Sequence, residues 1–165
     1  MIEEPEQLVR RAQGGDTLAM NDLLDQLTPY VGRICGPIAL SNGPDATQEA
    51  LVAVFRSLRT LKEPGALFGW VRAIAVREAI RVARQDQRQV PADLDELPAP
   101  NDPQLLVDVR DTLARLTPEH RALLVLRDIE GLDEQAAAVL LELPAGTAKS
   151  RLHRARASFR KAWGS

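Results

Sequence analysis

DEQAAAVLLELPAGTAKSRLHRARASFRKAW, Asp133 to Trp163, is the stretch that decides the fold. Asp133 is placed to cap a short helix whose Ala136, Val139, Leu140 and Leu143 are expected on one face. The tight turn Glu142-Leu143-Pro144 follows, and Pro144 opens a second helix with Ala148, Leu152, Ala155 and Phe159 along one stripe. Two short helices about a tight turn make a helix-turn-helix. The second helix shows Lys149, Ser150, His153, Arg154 and Lys161 on its other face. Such a face fits the DNA major groove: Arg and Lys suit guanine O6 and N7, and Ser suits several acceptors. The amides near Ala145 to Thr147 suit a phosphate. The plainer alternative is a solvated basic face on a bundle helix.

Upstream, the pattern stays helical. A helix is expected over about Gln104 to Arg115. Thr117 caps the next, with Pro118 at its first position, and Ala122, Val125, Leu126 and Ile129 are expected on one face before Gly131 stops it. The N-terminal half gives four candidate helices: Pro5 to Gln13, Thr17 to Leu40 with a break expected at Pro29 or Gly36-Pro37, Pro44 to Leu61, and Ala66 to Gln89. Between the halves, VPADLDELPAPNDP (Val90 to Pro103) has four prolines, several acids and no helical period, which reads as a linker. The expected fold is all-α, with two small helical domains at 1–90 and 104–165 and a linker at 91–103.

Composition narrows the function. The 165 residues are 45% hydrophobic and 27% charged, enough for a packed core and a soluble chain. No apolar run approaches the roughly 20 residues of a membrane span, and the acidic Met1 to Gln7 lacks a signal-peptide core. Cys35 is the one cysteine, so no internal disulfide forms, no Cys/His metal spacing exists, and an inert buried thiol in a reducing cytoplasm is expected. His120 and His153 have no carboxylate or cysteine spaced for catalysis, so neither catalytic residues nor a cofactor are expected; His120 reads as solvated or capping. Net charge is −2, but its distribution is uneven. Residues 144–165 hold Lys149, Arg151, Arg154, Arg156, Arg160 and Lys161 and no acid. Arg77, Arg81, Arg84 and Arg88 fall at i, i+4, i+7 and i+11, one basic stripe of a helix.

These residues resemble a family. Leu116 to Trp163, above all Pro144 to Arg156 (PAGTAKSRLHRAR), is similar to region 4 of the extracytoplasmic-function (ECF) sigma factors of bacterial RNA polymerase. More loosely, Gly15-Asp16 with Ala19, Met20 and Leu23, then Asp45 to Glu49 with Phe55 and Arg56, then Phe68, Trp70, Ile74 and Ala75, resemble region 2. The two matches stand in the family's order around its variable linker.

The resemblance implies a transcription initiation factor with no catalysis of its own. Region 4 would read duplex −35 promoter DNA through Lys149, Ser150, His153 and Arg154, with Arg151 and Arg156 on the backbone. Region 2 would capture melted −10 DNA along Arg77, Arg81 and Arg84, with Lys62 in the loop Lys62 to Leu67 that forms a base pocket. Asp45, Gln48, Glu49 and Arg56 would dock on the polymerase β′ clamp helices, with the β flap a further contact, while Leu51, Phe55, Leu58 and Trp70 are assigned to the core. An anti-sigma factor is an implied partner; no on-board regulator is expected beyond Trp163. Three positions depart from the family: Arg77 replaces a usual Asn, Pro44 a usual Glu, and Glu142 the turn glycine, which demands either a left-handed backbone or a different bend. Two rival readings stay open: a stand-alone helix-turn-helix regulator, and a sigma-like protein acting only through protein contacts.

Overall fold

A computed structural model of the chain describes residues 4–89 and 105–164. The linker expected at 91–103 lies outside them. Among the described residues the fold is all-α, with eight α-helices joined in places by short 3₁₀ or π-helical turns. The N-terminal half holds α1 (Pro5–Gln13), α2 (Thr17–Ala39), α3 (Gly43–Ser57) and α4 (Leu67–Gln89). The C-terminal half holds α5 (Leu105–Ala114), α6 (Pro118–Leu124), α7 (Glu134–Leu140) and α8 (Ala145–Gly164).

Local chemistry explains the ends. Asp16 caps α2, accepting from the amides of Leu18 and Ala19, both at 3.1 Å, and binds Arg11 at 2.6 Å. Thr117 caps α6 through the His120 amide at 3.1 Å, and Asp133 caps α7 through that of Ala136 at 2.7 Å. Neither proline ends α2: Pro29 and Pro37 both lie inside it, so the break expected there does not occur. Proline removes one hydrogen bond to the carbonyl four residues back. Those carbonyls belong to Asp25 and Arg33, both on exposed residues where water can replace the lost donor. Burial of Leu23, Leu27, Val31, Ile34 and Ile38 along one side then holds the helix together.

In the N-terminal half, α2 packs against α1, α3 and α4, and α3 packs on α4. The crossing of α2 and α3 is close: a Cβ on Gly43 would stand 3.2 Å from the Gly36 Cα, so only glycine fits there without a shift. Cys35 is buried in this core and its Sγ donates to the Ala75 carbonyl at 3.6 Å. Desolvation pushes its thiol up to about 11, which keeps it protonated and unreactive.

In the C-terminal half, α8 packs against α5, α6 and α7. Two expected faces are corrected. Ile129 is 64% exposed, because α6 runs on into a π-helical turn, Val125–Ile129, that rotates the last residue outward. In α7 the buried residues are Ala137 and Ala138, while Ala136 is exposed and Val139 is 77% exposed. The helix turns its small residues to α8, which lets the two backbones approach.

The two halves share one core. Helix α6 packs on both α2 and α4, and Ala122, Leu123, Val125 and Leu126 join the buried cluster of the N-terminal half. Two polar clusters complete the joint. Arg121, 3% exposed, donates from Nε to the Ile38 carbonyl at 2.8 Å and from Nη1 to the carbonyls of Leu113 and Leu116 at 3.1 and 2.5 Å. Its guanidinium thus meets carbonyls near the C-terminal ends of α2 and α5, where helices leave carbonyls without partners. Alongside, the Tyr30 hydroxyl and Arg72 Nε donate to Glu130 at 2.8 and 3.0 Å. Tyr30 also meets Phe68 edge-on, with ring centroids 5.3 Å apart.

Candidate nucleic-acid and polymerase surfaces

The helix-turn-helix is α7, the turn Leu141 to Pro144, and α8. The turn is closed by the Leu143 amide on the Ala138 carbonyl at 2.8 Å. Glu142 adopts φ 57°, so of the two options open to a non-glycine residue it takes the left-handed backbone. Ala148, Leu152 and Ala155 are buried along the expected α8 stripe, and Phe159 is half-buried. That leaves Lys149, Ser150, His153 and Arg154 exposed together on the opposite face. Lys149, His153 and Arg156 line a groove of about 570 Å³ shared with Asp128 and Glu134. Arg156 is engaged there by Asp128 at 2.6 Å, which raises its pKa further. Arg151 is half-buried and lies near His120. Burial holds the His120 imidazole below its ordinary value, with the positive charges of Arg151 and Arg154 adding to it.

The second basic surface is on α4. Arg77, Arg81 and Arg84 are exposed along one line, and all three have carboxylate partners. Arg77 meets Glu142 at 3.9 Å, Arg81 meets Glu78 at 2.6 Å and Glu49 at 3.3 Å, and Arg84 binds Glu119. The stripe borders a cleft of about 350 Å³ whose far wall is Leu140, Leu141 and Glu142 of the helix-turn-helix. Arg88 belongs to α4, but its side chain lies outside the described residues. Lys62 is exposed in the loop before α4, where Pro64–Ala66 forms a 3₁₀ turn and Leu67 is buried beneath it. The preceding turn is fixed by Gln13, whose side-chain amide donates to the Leu58 and Leu61 carbonyls at 2.9 and 2.7 Å.

The third surface is on α3, where Asp45, Gln48, Glu49 and Arg56 are exposed. One assignment to the core is corrected here. Leu58 is buried and Leu51 packs partly, but Phe55 is 56% exposed. Val52 is exposed beside it, so the polar line carries two apolar residues that sequence reading did not place on it. The signal was available: Val52 and Phe55 fall at i+7 and i+10 from Asp45, on the same side as Gln48, Glu49 and Arg56. Phe55 and Arg56 also line a cavity of about 560 Å³ with Asp16, Met20 and Leu24 of the α2 start. Trp70 is half-buried and packs on the core as expected.

Comparison with known proteins fits this geometry. Residues 106–159 match the family model for Sigma-70, region 4. The RNA polymerase sigma-H factor of Pseudomonas aeruginosa is 30% identical, over 97% of this chain and 94% of its own. The chain belongs to the ECF sigma factors of RNA polymerase. As such it is a transcription initiation factor and not an enzyme. The ECF RNA polymerase sigma factor SigE of Mycolicibacterium smegmatis is 37% identical over 88% of this chain, which spans 63% of that relative's length. The ECF RNA polymerase sigma-E factor of Escherichia coli K12 is 29% identical, over 90% of this chain and 88% of its own. Two solved structures share the fold. The sigma factor RpoE in complex with the anti-sigma factor NepR, from Bartonella quintana, matches with TM-score 0.65 and 21% identity, over 84% of this chain and 92% of that one. CnrH in complex with the cytosolic domain of CnrY matches with TM-score 0.64 and 20% identity, over 95% of both. Among the described residues no group of side chains is arranged to hold a metal ion, and no helix is long and apolar enough to cross a membrane.

Proposed function

We propose that this sigma factor works in the cytoplasm as two DNA-reading domains, residues 1–90 and 104–165, on core RNA polymerase. The C-terminal domain reads the −35 duplex. Lys149, Ser150, His153 and Arg154 reach base edges and phosphates from the start of α8, and Arg151 and Arg156 take backbone phosphates. The N-terminal domain holds melted −10 DNA. Arg77, Arg81 and Arg84 track the backbone, and Lys62 flanks the loop that receives an unstacked base. The observation that carries this reading is the exposed line Lys149, Ser150, His153 and Arg154 on a helix whose opposite stripe is buried. A bundle helix with no ligand has no need to carry cations along its length and no acid.

Docking on polymerase falls to α3, through Asp45, Gln48, Glu49 and Arg56 toward the β′ clamp helices, with the β flap meeting the C-terminal domain. The exposed Val52 and Phe55 supply apolar contact within that polar frame, the composition expected of an interface centre. The same face would suit an anti-sigma factor, the kind of partner present in the Bartonella complex.

Run-off transcription with bacterial core polymerase and a genomic promoter library tests the reading. Transcripts sharing spaced −35 and −10 motifs are the expected result. Core binding without transcripts would favour a protein acting through protein contacts alone. Duplex binding without core binding would favour a stand-alone regulator.

A further inference from the structure

We infer that the compact arrangement is a self-closed state, in which Glu119 and Glu142 of the C-terminal half occupy the arginines of α4 in place of DNA phosphates. This rests on the proposed −10 role of that stripe. Glu119 is on α6 and Glu142 is in the turn of the helix-turn-helix, far along the chain from the arginines they meet. Arg84 binds Glu119 with both Nε and Nη2 on one carboxylate oxygen, and Arg77 reaches Glu142 at 3.9 Å. Between them, Leu140 and Leu141 wall the cleft in front of Ile80 and Arg81. A nucleic-acid strand following the stripe would need the space these residues fill and the cations these acids neutralise.

The division of labour is physical. Ion pairs at an exposed rim are weak and are readily exchanged for phosphates. The closure itself is held by the shared apolar core and by Arg121 on the Ile38 carbonyl. The two acids therefore act as competitors for the arginines and contribute little to holding the halves together. The α8 reading face stays exposed in the same arrangement, so the closure acts on the α4 surface selectively.

The test compares the full-length chain with a Glu119→Gln/Glu142→Gln variant and with an Asp22→Asn/Asp25→Asn variant. The last makes the same charge change at exposed positions of α2. The probe is a short fluorescein-labelled single-stranded oligodeoxynucleotide, read by anisotropy at low salt. The Glu119→Gln/Glu142→Gln variant should bind about threefold to tenfold tighter than the parent, with the gain shrinking as salt rises, while the α2 variant should shift by less than about twofold. Equal binding by all three proteins, or an equal gain in both variants, would overturn the inference. Run-off transcription by the unaltered chain with core polymerase is measured in parallel. Its failure counts against the proposed function, and the anisotropy comparison still decides the closure.

Discussion

Replacing Arg121 with Met removes a buried cation that ties the ends of two helices from opposite halves of the chain. The guanidinium makes three hydrogen bonds to carbonyls. Each charge-assisted bond contributes about 1.5–3 kcal/mol, or about 4.5–9 kcal/mol together. Against this stands desolvation, which lowers the Arg121 pKa from 12.5 to about 10. At about 1.4 kcal/mol per unit that burial costs about 3 kcal/mol at neutral pH, and the cost disappears with the charge. The net loss for Arg121→Met is then about 1–6 kcal/mol. Arg121→Lys should recover only part of it, because a single ammonium cannot fork across carbonyls of α2 and α5 at once. Urea unfolding should be followed in two single-tryptophan backgrounds, Trp70→Phe and Trp163→Phe, so that each half reports separately. In the parent the two transitions should coincide. In Arg121→Met both midpoints should fall, and the transitions should separate as the joint loses its anchor. Coincident transitions with a loss below about 1 kcal/mol would refute the role of Arg121 as the tie between the halves.

Three further outcomes follow from particular residues. Glu142→Gly should stabilise the chain by about 1 kcal/mol, raising Tm by about 2–4 °C in a thermal melt, because φ 57° suits glycine and the pair lost to Arg77 is long and exposed. His120 should titrate below 6.5 by NMR, and Arg151→Ala should move it upward. Its folded pKa is depressed, so the unfolded chain binds more protons between the two values; stability should therefore fall as pH drops from 6.5 through the folded pKa, and Arg151→Ala should shrink that loss. Phe55→Ala should leave urea stability within about 0.5 kcal/mol, since the ring is mostly exposed. It should weaken binding to core polymerase by about 2 kcal/mol, measured by competition against the unaltered chain.

Much of the fold was legible because its signals are local. Thr117 and Asp133 cap helices where the sequence places them, since a cap needs only a short polar side chain and the next turn. The Pro29 expectation failed for a tertiary reason: the proline penalty is local, but the burial of Leu27, Val31 and Ile34 that overrides it belongs to the whole bundle. Phe55 was misplaced because Leu51, Phe55 and Leu58 satisfy a helical apolar period, yet the exposed line from Asp45 to Arg56 passes through Phe55 as well. Period alone cannot say which of two overlapping stripes meets the core. The α8 surface was legible because one helix carries it all. The partners of the α4 stripe were not, because Glu119 and Glu142 reach Arg84 and Arg77 only once the halves have packed.

The way those halves pack sets an energetic condition on function. Opening the cleft over α4 must separate Ala122, Leu123 and Leu126 from the α2 and α4 core and must break the Arg121 contact with Ile38. Moving a closed state that dominates about 99 to 1 to the opposite ratio requires a partner that favours the open state by about 5.5 kcal/mol. DNA phosphates on three arginines cannot supply that alone, since each merely replaces a carboxylate already present. The larger contribution must come from a partner that binds the open state better; docking on Val52 and Phe55, already exposed in the closed state, shifts the equilibrium only if the same partner also contacts surface that the closure covers. Polymerase docking would then come before −10 capture. Single-stranded DNA should consequently bind the complex with core more tightly than the free chain, and by a larger factor than the loss of Glu119 and Glu142 produces.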